Sequence, residues 1–240
     1  MANIHFKHSA MNAGKTTQLI QAAFNYTERG MHPIILKPKI DTRSGAASVN
    51  ARIGLEHKCI DFLPNECVSA IVREANALRE VDVVLIDEAQ FMSEAQVMDL
   101  ITVAKLYNIP VVCYGLKTDF SGNLFVGSAK LLAIADKFEA LKTICWCGDG
   151  ATQNARIDAN GDMVTVGNSI EVGDVGGRYV PLCMKHYAYH QPTQNHTSAF
   201  AKYRDMIADV RKRDEISGGS NEPSSDTIPQ VDMARSAVAK

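Results

Sequence analysis

The chain has 240 residues, 46% of them hydrophobic, and 25 Lys and Arg against 27 Asp and Glu give a formal net charge of −2. That length buries a full core with room for a small second lobe, and the near-balance of charge argues against nucleic-acid or anionic-membrane partners. No apolar run reaches the length of a membrane span, no secretory segment precedes the first strand, and six cysteines without disulfide-framework spacing point to a reducing, cytoplasmic compartment.

Residues 3–8 read as a short strand, with Ile4 and Phe6 apolar, and run into Ser9-Ala10-Met11-Asn12-Ala13-Gly14-Lys15-Thr16. This is the pattern of a phosphate-binding loop, except that Ser9 stands where the usual pattern opens with Gly. Backbone N–H groups and the positive end of the following helix suit an anion there. In such a loop Lys15 reaches the β- and γ-phosphates of a bound nucleotide, and the Thr16 hydroxyl holds Mg²⁺. A chance Gly-Lys-Thr at a helix start is the alternative on this stretch alone. A helix is predicted over 15–29 from Leu19, Ala22, Ala23 and Tyr26, with Gly30 as its C-terminal stop.

Further along, 33–37 reads as a strand and 66–79 as a helix with Asn65 as N-cap. Residues 82–88, Asp-Val-Val-Leu-Ile-Asp-Glu, put four consecutive apolar residues in a strand buried on both faces. Asp87 and Glu88 then stand at the carboxyl end of that strand, the edge where open α/β sheets bind ligands. One carboxylate there suits Mg²⁺, and its neighbour can take up a proton; two acidic residues in a surface turn are the alternative. A helix over 93–107 capped by Ser93, a strand over 110–115 opened by Pro110, a helix over 127–136 and a strand over 141–145 complete the series. The alternation predicts an α/β fold, a parallel sheet with helices on both faces, over residues 1–144.

The texture changes at Cys145. Residues 145–189 are rich in Gly, Asn and Asp with short strand-like pieces, too small and polar to pack unaided. Cys145, Cys147, Cys183 and His186 offer three thiolates and an imidazole, the donor set of a closed structural Zn²⁺ site; buried free cysteines are the alternative. Cys59 and Cys67 are expected to be small buried apolar residues, and His5, His8 and His57 lack coordinating spacing. Residues 198–214 suggest a helix, and 217–230 a disordered tail, in a C-terminal region over 190–240.

The motifs SAMNAGKTT (9–17), KIDTRSG (39–45), VLIDEAQF (84–91), CYGLKTDF (113–120), LKTICWCG (141–148) and RYVPLCMKHY (178–187) together resemble the zinc-containing (type II) thymidine kinases, in a bacterial-type subgroup, over residues 4–187. The resemblance implies a phosphate-loop (RecA-like) α/β domain with a small zinc-braced lasso domain. It implies transfer of the ATP γ-phosphoryl group to the 5′-hydroxyl of thymidine, with deoxyuridine as a second substrate, in nucleotide salvage for DNA synthesis. ATP, Mg²⁺ and structural Zn²⁺ are the implied cofactors, and a homotetramer the implied assembly.

By the same resemblance Glu88 is the catalytic base. Ser9 to Thr16, Asp87, Gln90, Asp41 and Arg43 serve phosphates and Mg²⁺. Met11, Leu116 and Phe120 line the nucleoside pocket, Tyr179 covers it, and Val172, Gly173 and Asp174 read the base through backbone groups. Core packing is the alternative for Met11, Leu116 and Phe120, and a lid over its own apolar patch for Tyr179.

Two readings compete. Asp87-Glu88-Ala89-Gln90 also fits the acidic box of nucleic-acid-dependent ATPases, but such a motor needs two α/β lobes and a basic track. The other is a zinc-braced binding module in which nucleotide is only regulatory.

Overall fold

The computed structural model describes residues 1–39, 47–167 and 178–194. The expectations for Asp41, Arg43, Val172, Gly173, Asp174, the helix over 198–214 and the tail over 217–230 lie outside the described residues. Among the described residues no helix is long and apolar enough to cross a membrane.

The phosphate-loop half is built on β1 (Ile4–Ser9), α1 (Lys15–Glu28), β2 (Pro33–Pro38), β3 (Ser48–Asn50), β4 (Glu56–Lys58), β5 (Ile60–Phe62), α2 (Val68–Leu78) and β6 (Val83–Ile86). A 3₁₀ turn, Ala89–Phe91, follows, then α3 (Glu94–Ile101), β7 (Val111–Leu116), α4 (Val126–Ile134) and β8 (Lys137–Ala140). Six strands form one sheet in the order β5-β2-β6-β7-β1-β8, and every pairing in it is parallel.

Alternate side chains of each strand go to opposite faces. Ile34, Leu36, Val84, Ile86, Val111 and Cys113 pack on one face under Val68 and Val72 of α2, Val97 and Leu100 of α3, and Leu131 of α4. Ile35, Val83, Leu85 and Tyr114 pack on the other under Leu19, Ile20 and Ala23 of α1, joined by Val49 and Ala51 of the β3–β4 hairpin. Both faces are covered, so the four residues of β6 are all buried, as their uninterrupted apolar run requires.

Several boundaries differ from the sequence reading. The last strand is not 141–145 but β8, whose register is set by β1, with His5 opposite Lys137 and His8 opposite Ala140. The Leu141 N–H still donates to the His8 carbonyl, after which the chain turns into the cysteine knuckle, where Ile144 makes only one bridge, to Gly150. Helix α4 stops at Ile134 because Asp136 ties the next turn to β1: its N–H donates to Ile4 O, and its carboxylate accepts from Ile4 N–H and Lys105.

Helix α2 is capped at Cys67, not Asn65. The carboxylate of Asp99 on α3 accepts the orphan N–H of Ser69 at 2.6 Å, so the cap comes from a neighbouring helix. Cys67 is exposed rather than buried, with its thiol 2.9 Å from Asp99 Oδ2, and Cys59 is half-buried. Ser93 caps α3 as expected, in a full capping box with Gln96. The helix expected to run to 107 widens into a π-helical turn at Thr102–Leu106, where the Tyr107 N–H donates to the Thr102 carbonyl five residues back.

A second, antiparallel sheet holds β9 (Gln153–Ile157) between β10 (Met163–Val164) and β11 (Arg178–Leu182), followed by the short α5 (Met184–Ala188). Its small core is Cys145, Ala151, Ala155, Leu182 and Cys183. Both sheets belong to one compact unit, Met1–Ser198.

Candidate active site

The loop between β1 and α1 opens on two left-handed residues, Asn12 at φ 64° and Gly14 at φ 72°, which turn the chain back so that α1 begins at Lys15. Gly14 suits that conformation because it has no Cβ, and Asn is among the side chains that best tolerate it. Lys15 is almost fully buried, and its ammonium donates to Ser9 Oγ at 3.1 Å and to the Ala10 carbonyl at 3.2 Å. The departure from Gly at position 9 thus supplies an acceptor that holds the lysine along the loop. Burial lowers the Lys15 pKa, and the nearby Glu88 and Asp87 charges oppose that shift.

The Thr16 hydroxyl donates to Asp87 Oδ2 at 3.0 Å, which brings both proposed Mg²⁺-side groups together from elements 71 residues apart. Burial, and then the Glu88 charge, push the Asp87 pKa up to about 6. Oxygen donors from a hydroxyl and a carboxylate at a phosphate loop are the set a hard divalent cation prefers, so these residues fit Mg²⁺.

Glu88 follows at φ 51°, in the left-handed region, immediately after β6. A non-glycine residue there carries strain, and such strain concentrates at functional sites. Gln90 fixes the side chain: its amide nitrogen donates to Glu88 Oε2, and its amide oxygen accepts the Leu116 N–H at 3.0 Å. Gln90 therefore ties Glu88 to the end of β7. Gly115 and Gly127 permit this packing. A Cβ on Gly115 would stand 2.8 Å from Gln90 Oε1, and one on Gly127 would stand 2.6 Å from the Ala89 carbonyl.

These groups open into one cleft of about 670 Å³ at the carboxyl edge of the parallel sheet. Lys15, Thr16 and Glu88 line it, with Met11, Leu116, Phe120 and Tyr179. Phe120 is buried to 2% exposure, and the Arg156 guanidinium lies over its ring at 4.9 Å from the centroid. Tyr179 enters from β11, where it pairs with Arg156 of β9.

Two lining residues escaped the sequence reading. Asn154, buried in β9, accepts the Met11 N–H at 2.7 Å and donates to the Thr118 carbonyl, joining the small sheet to the phosphate loop. Its only signal was an amide in the middle of a short strand. Arg52, on the turn between β3 and β4, donates to Asn12 Oδ1. Nothing local in the sequence marks it.

Cys145, Cys147, Cys183 and His186 converge so that one ligand atom from each lies within 4.8 Å of all the others. The separations are 4.0 Å between the Cys147 and Cys183 sulfurs, and 3.5 and 3.2 Å from His186 Nδ1 to Cys145 and Cys183. Metal–sulfur bonds of about 2.3 Å in a tetrahedron put sulfurs about 3.8 Å apart, so the set fits Zn²⁺. Burial opposes the thiolate at Cys145, but hydrogen bonds from the backbone N–H groups and the thiols of Cys147 and Cys183 together lower its pKa. The cluster touches the cleft through the next residue, since the Tyr187 hydroxyl donates to the Phe120 carbonyl at 2.7 Å.

Comparison with known proteins agrees with this geometry. The family described as Thymidine kinase matches residues 2–187. A thymidine kinase of Idiomarina loihiensis is 46% identical over 187 residues, covering 78% of this chain and 96% of that protein. One from Agrobacterium fabrum is likewise 46% identical, and one from Zymomonas mobilis 44%, each over 187 residues with the same shares of the two chains. With phosphate loop, acidic strand end and cysteine–histidine cluster all inside the matched span, the chain belongs to the thymidine kinase family.

Proposed function

We propose that this chain transfers the ATP γ-phosphoryl group to the 5′-hydroxyl of thymidine, giving dTMP. The observation that carries the reading is the meeting of Lys15, Thr16 with Asp87, and Glu88 at one cleft. Phosphoryl transfer passes through a loose transition state, so positioning and charge neutralisation supply most of the catalysis. Lys15 and the amides at the start of α1 hold the phosphates. Thr16 and Asp87 would hold Mg²⁺, which would supply further neutralisation of phosphate charge. Glu88 accepts the proton of the 5′-hydroxyl as the oxygen attacks, an effect of typically ~10²–10⁴-fold.

Met11, Leu116, Phe120 and Tyr179 would enclose the nucleoside and exclude water, which limits ATP hydrolysis. Asp41 and Arg43 would complete the phosphate network, and Val172, Gly173 and Asp174 would read the base. Zn²⁺ held by Cys145, Cys147, Cys183 and His186 would brace residues 145–189 as a lasso domain beside an ATP-binding domain over 1–144, with 190–240 as a C-terminal region. A cytoplasmic homotetramer in nucleotide salvage belongs to the same reading, with no nucleic-acid or membrane partner.

A nucleoside panel with ATP tests the assignment. Thymidine-dependent ADP release is expected, with deoxyuridine a weaker substrate, because one methyl group discriminates by only about 1–3 kcal/mol. Turnover with no nucleoside preference, or release stimulated by DNA instead, would overturn it.

A further inference from the structure

We propose that Arg52 is a catalytic cation, carried on the β3–β4 turn into the chain's own cleft to contact the transferring phosphoryl group. This rests on the phosphoryl-transfer reading above and adds a residue to it.

The turn is built to fix the base of the side chain. Ala51 N–H donates to Leu55 O at 2.7 Å, and Gly54 N–H to Ala51 O at 2.9 Å, with Gly54 at φ 88° completing the bend. Val49 and Ala51 are buried against α1 and the sheet, so the hairpin is anchored on the β3 side of its tip, immediately before Arg52. From that anchor Arg52 reaches the phosphate loop 40 residues earlier in the chain and donates from Nη1 to Asn12 Oδ1. It lines the same cleft as Lys15, Thr16 and Glu88.

Its present partner is a neutral amide oxygen. Among the described residues Arg52 has no carboxylate partner; the ion pairs there are Lys7–Glu139, Lys105–Asp136 and Lys130–Glu94, and none lines the cleft. A guanidinium presents five donors in a planar fork that matches phosphate oxygens, and among the described residues one hydrogen bond, to Asn12, engages it. Its charge already reaches the centre: after burial, Arg52 is what further lowers the Lys15 pKa. A polyanion between the two cations would relieve that repulsion.

The step balances within the proposed reaction. The bond from the γ-phosphorus to the β,γ-bridging oxygen breaks, and its electron pair leaves on ADP. The 5′-oxygen bonds to that phosphorus, and its proton passes to the Glu88 carboxylate. Charge gathers on the γ-phosphoryl and bridging oxygens during transfer, and Arg52 donates to those oxygens as it does. Arginines in this role contribute up to ~10³–10⁵-fold, and loss of one preorganised donor costs roughly 10²–10³-fold.

The test uses the full chain with Arg52→Ala and Arg52→Lys, measured for thymidine-dependent ADP release. Arg52→Ala should lose about 10²–10³-fold in kcat with the KM for thymidine nearly unchanged and the thermal midpoint retained. Arg52→Lys should fall between the two, and added guanidinium ion should restore part of the Arg52→Ala rate. That restoration separates a contact with the reacting phosphate from a structural role. An Arg52→Ala variant within threefold of wild-type kcat, or one that changes only the KM for ATP, would overturn the proposal. An inactive wild-type protein would instead sink the underlying phosphoryl-transfer assignment.

Discussion

Asp87 shows how single side chains set the chemistry. Burial and the Glu88 charge raise its pKa from 3.8 to about 6. A carboxyl raised on folding adds its stabilising contribution fully below the unfolded value and loses it as pH climbs through the folded one. The ligand-free protein is therefore predicted to lose stability at Asp87 between 3.8 and about 6. Asp87→Asn should flatten that part of the dependence of Tm on pH, measured without nucleotide or metal; an unchanged slope would contradict the assignment. Residues of this kind are legible when their chemistry is local, as in Gly14-Lys15-Thr16 or Asp87-Glu88. Arg52 and Asn154 are not, because what they do depends on partners 40 and 143 residues away.

At the scale of elements, the 3₁₀ turn after β6 carries both Glu88's neighbour Ala89 and its clamp Gln90, and α4 packs closely on it. A Cβ at Gly127 would stand 2.6, 2.8 and 2.9 Å from the carbonyls of Ala89, Met92 and Gln90, all backbone atoms with little room to give. Gly127→Ala is predicted to cost about 1–3 kcal/mol by overpacking, and to lower kcat by displacing Gln90 from Glu88. Thermal unfolding and turnover of the same preparation check this, and a variant unchanged in both would refute it.

The buried strands were readable because β6 lies between two helical layers and shows as four apolar residues. Strand β8 was not, since Lys137–Ala140 is exposed throughout and held by backbone pairing to β1 and the 2.8 Å Lys7–Glu139 ion pair. The β3–β4 hairpin hid for a related reason: Glu56-His57-Lys58 offers no apolar face.

At the scale of the molecule, the small sheet beside the cysteine–histidine cluster and the phosphate-loop sheet meet at the cleft through Asn154 and Tyr187. Loss of the metal is therefore predicted to reach the nucleoside end first, because Tyr187 follows ligand His186 and supports the Phe120 carbonyl. Cys183→Ser should release zinc and raise the KM for thymidine more than that for ATP. Elemental analysis showing zinc-free, fully active wild-type protein would refute this.

In the proposed reaction Lys15 and Glu88 serve one transfer, the first holding the phosphates and the second taking the proton. Glu88→Gln tests it most directly, with ATP affinity and thymidine-dependent turnover measured on one sample. ATP binding within a few-fold of wild type and a kcat lower by about 10²–10⁴-fold are expected; near-full kcat in the variant would remove Glu88 as the base.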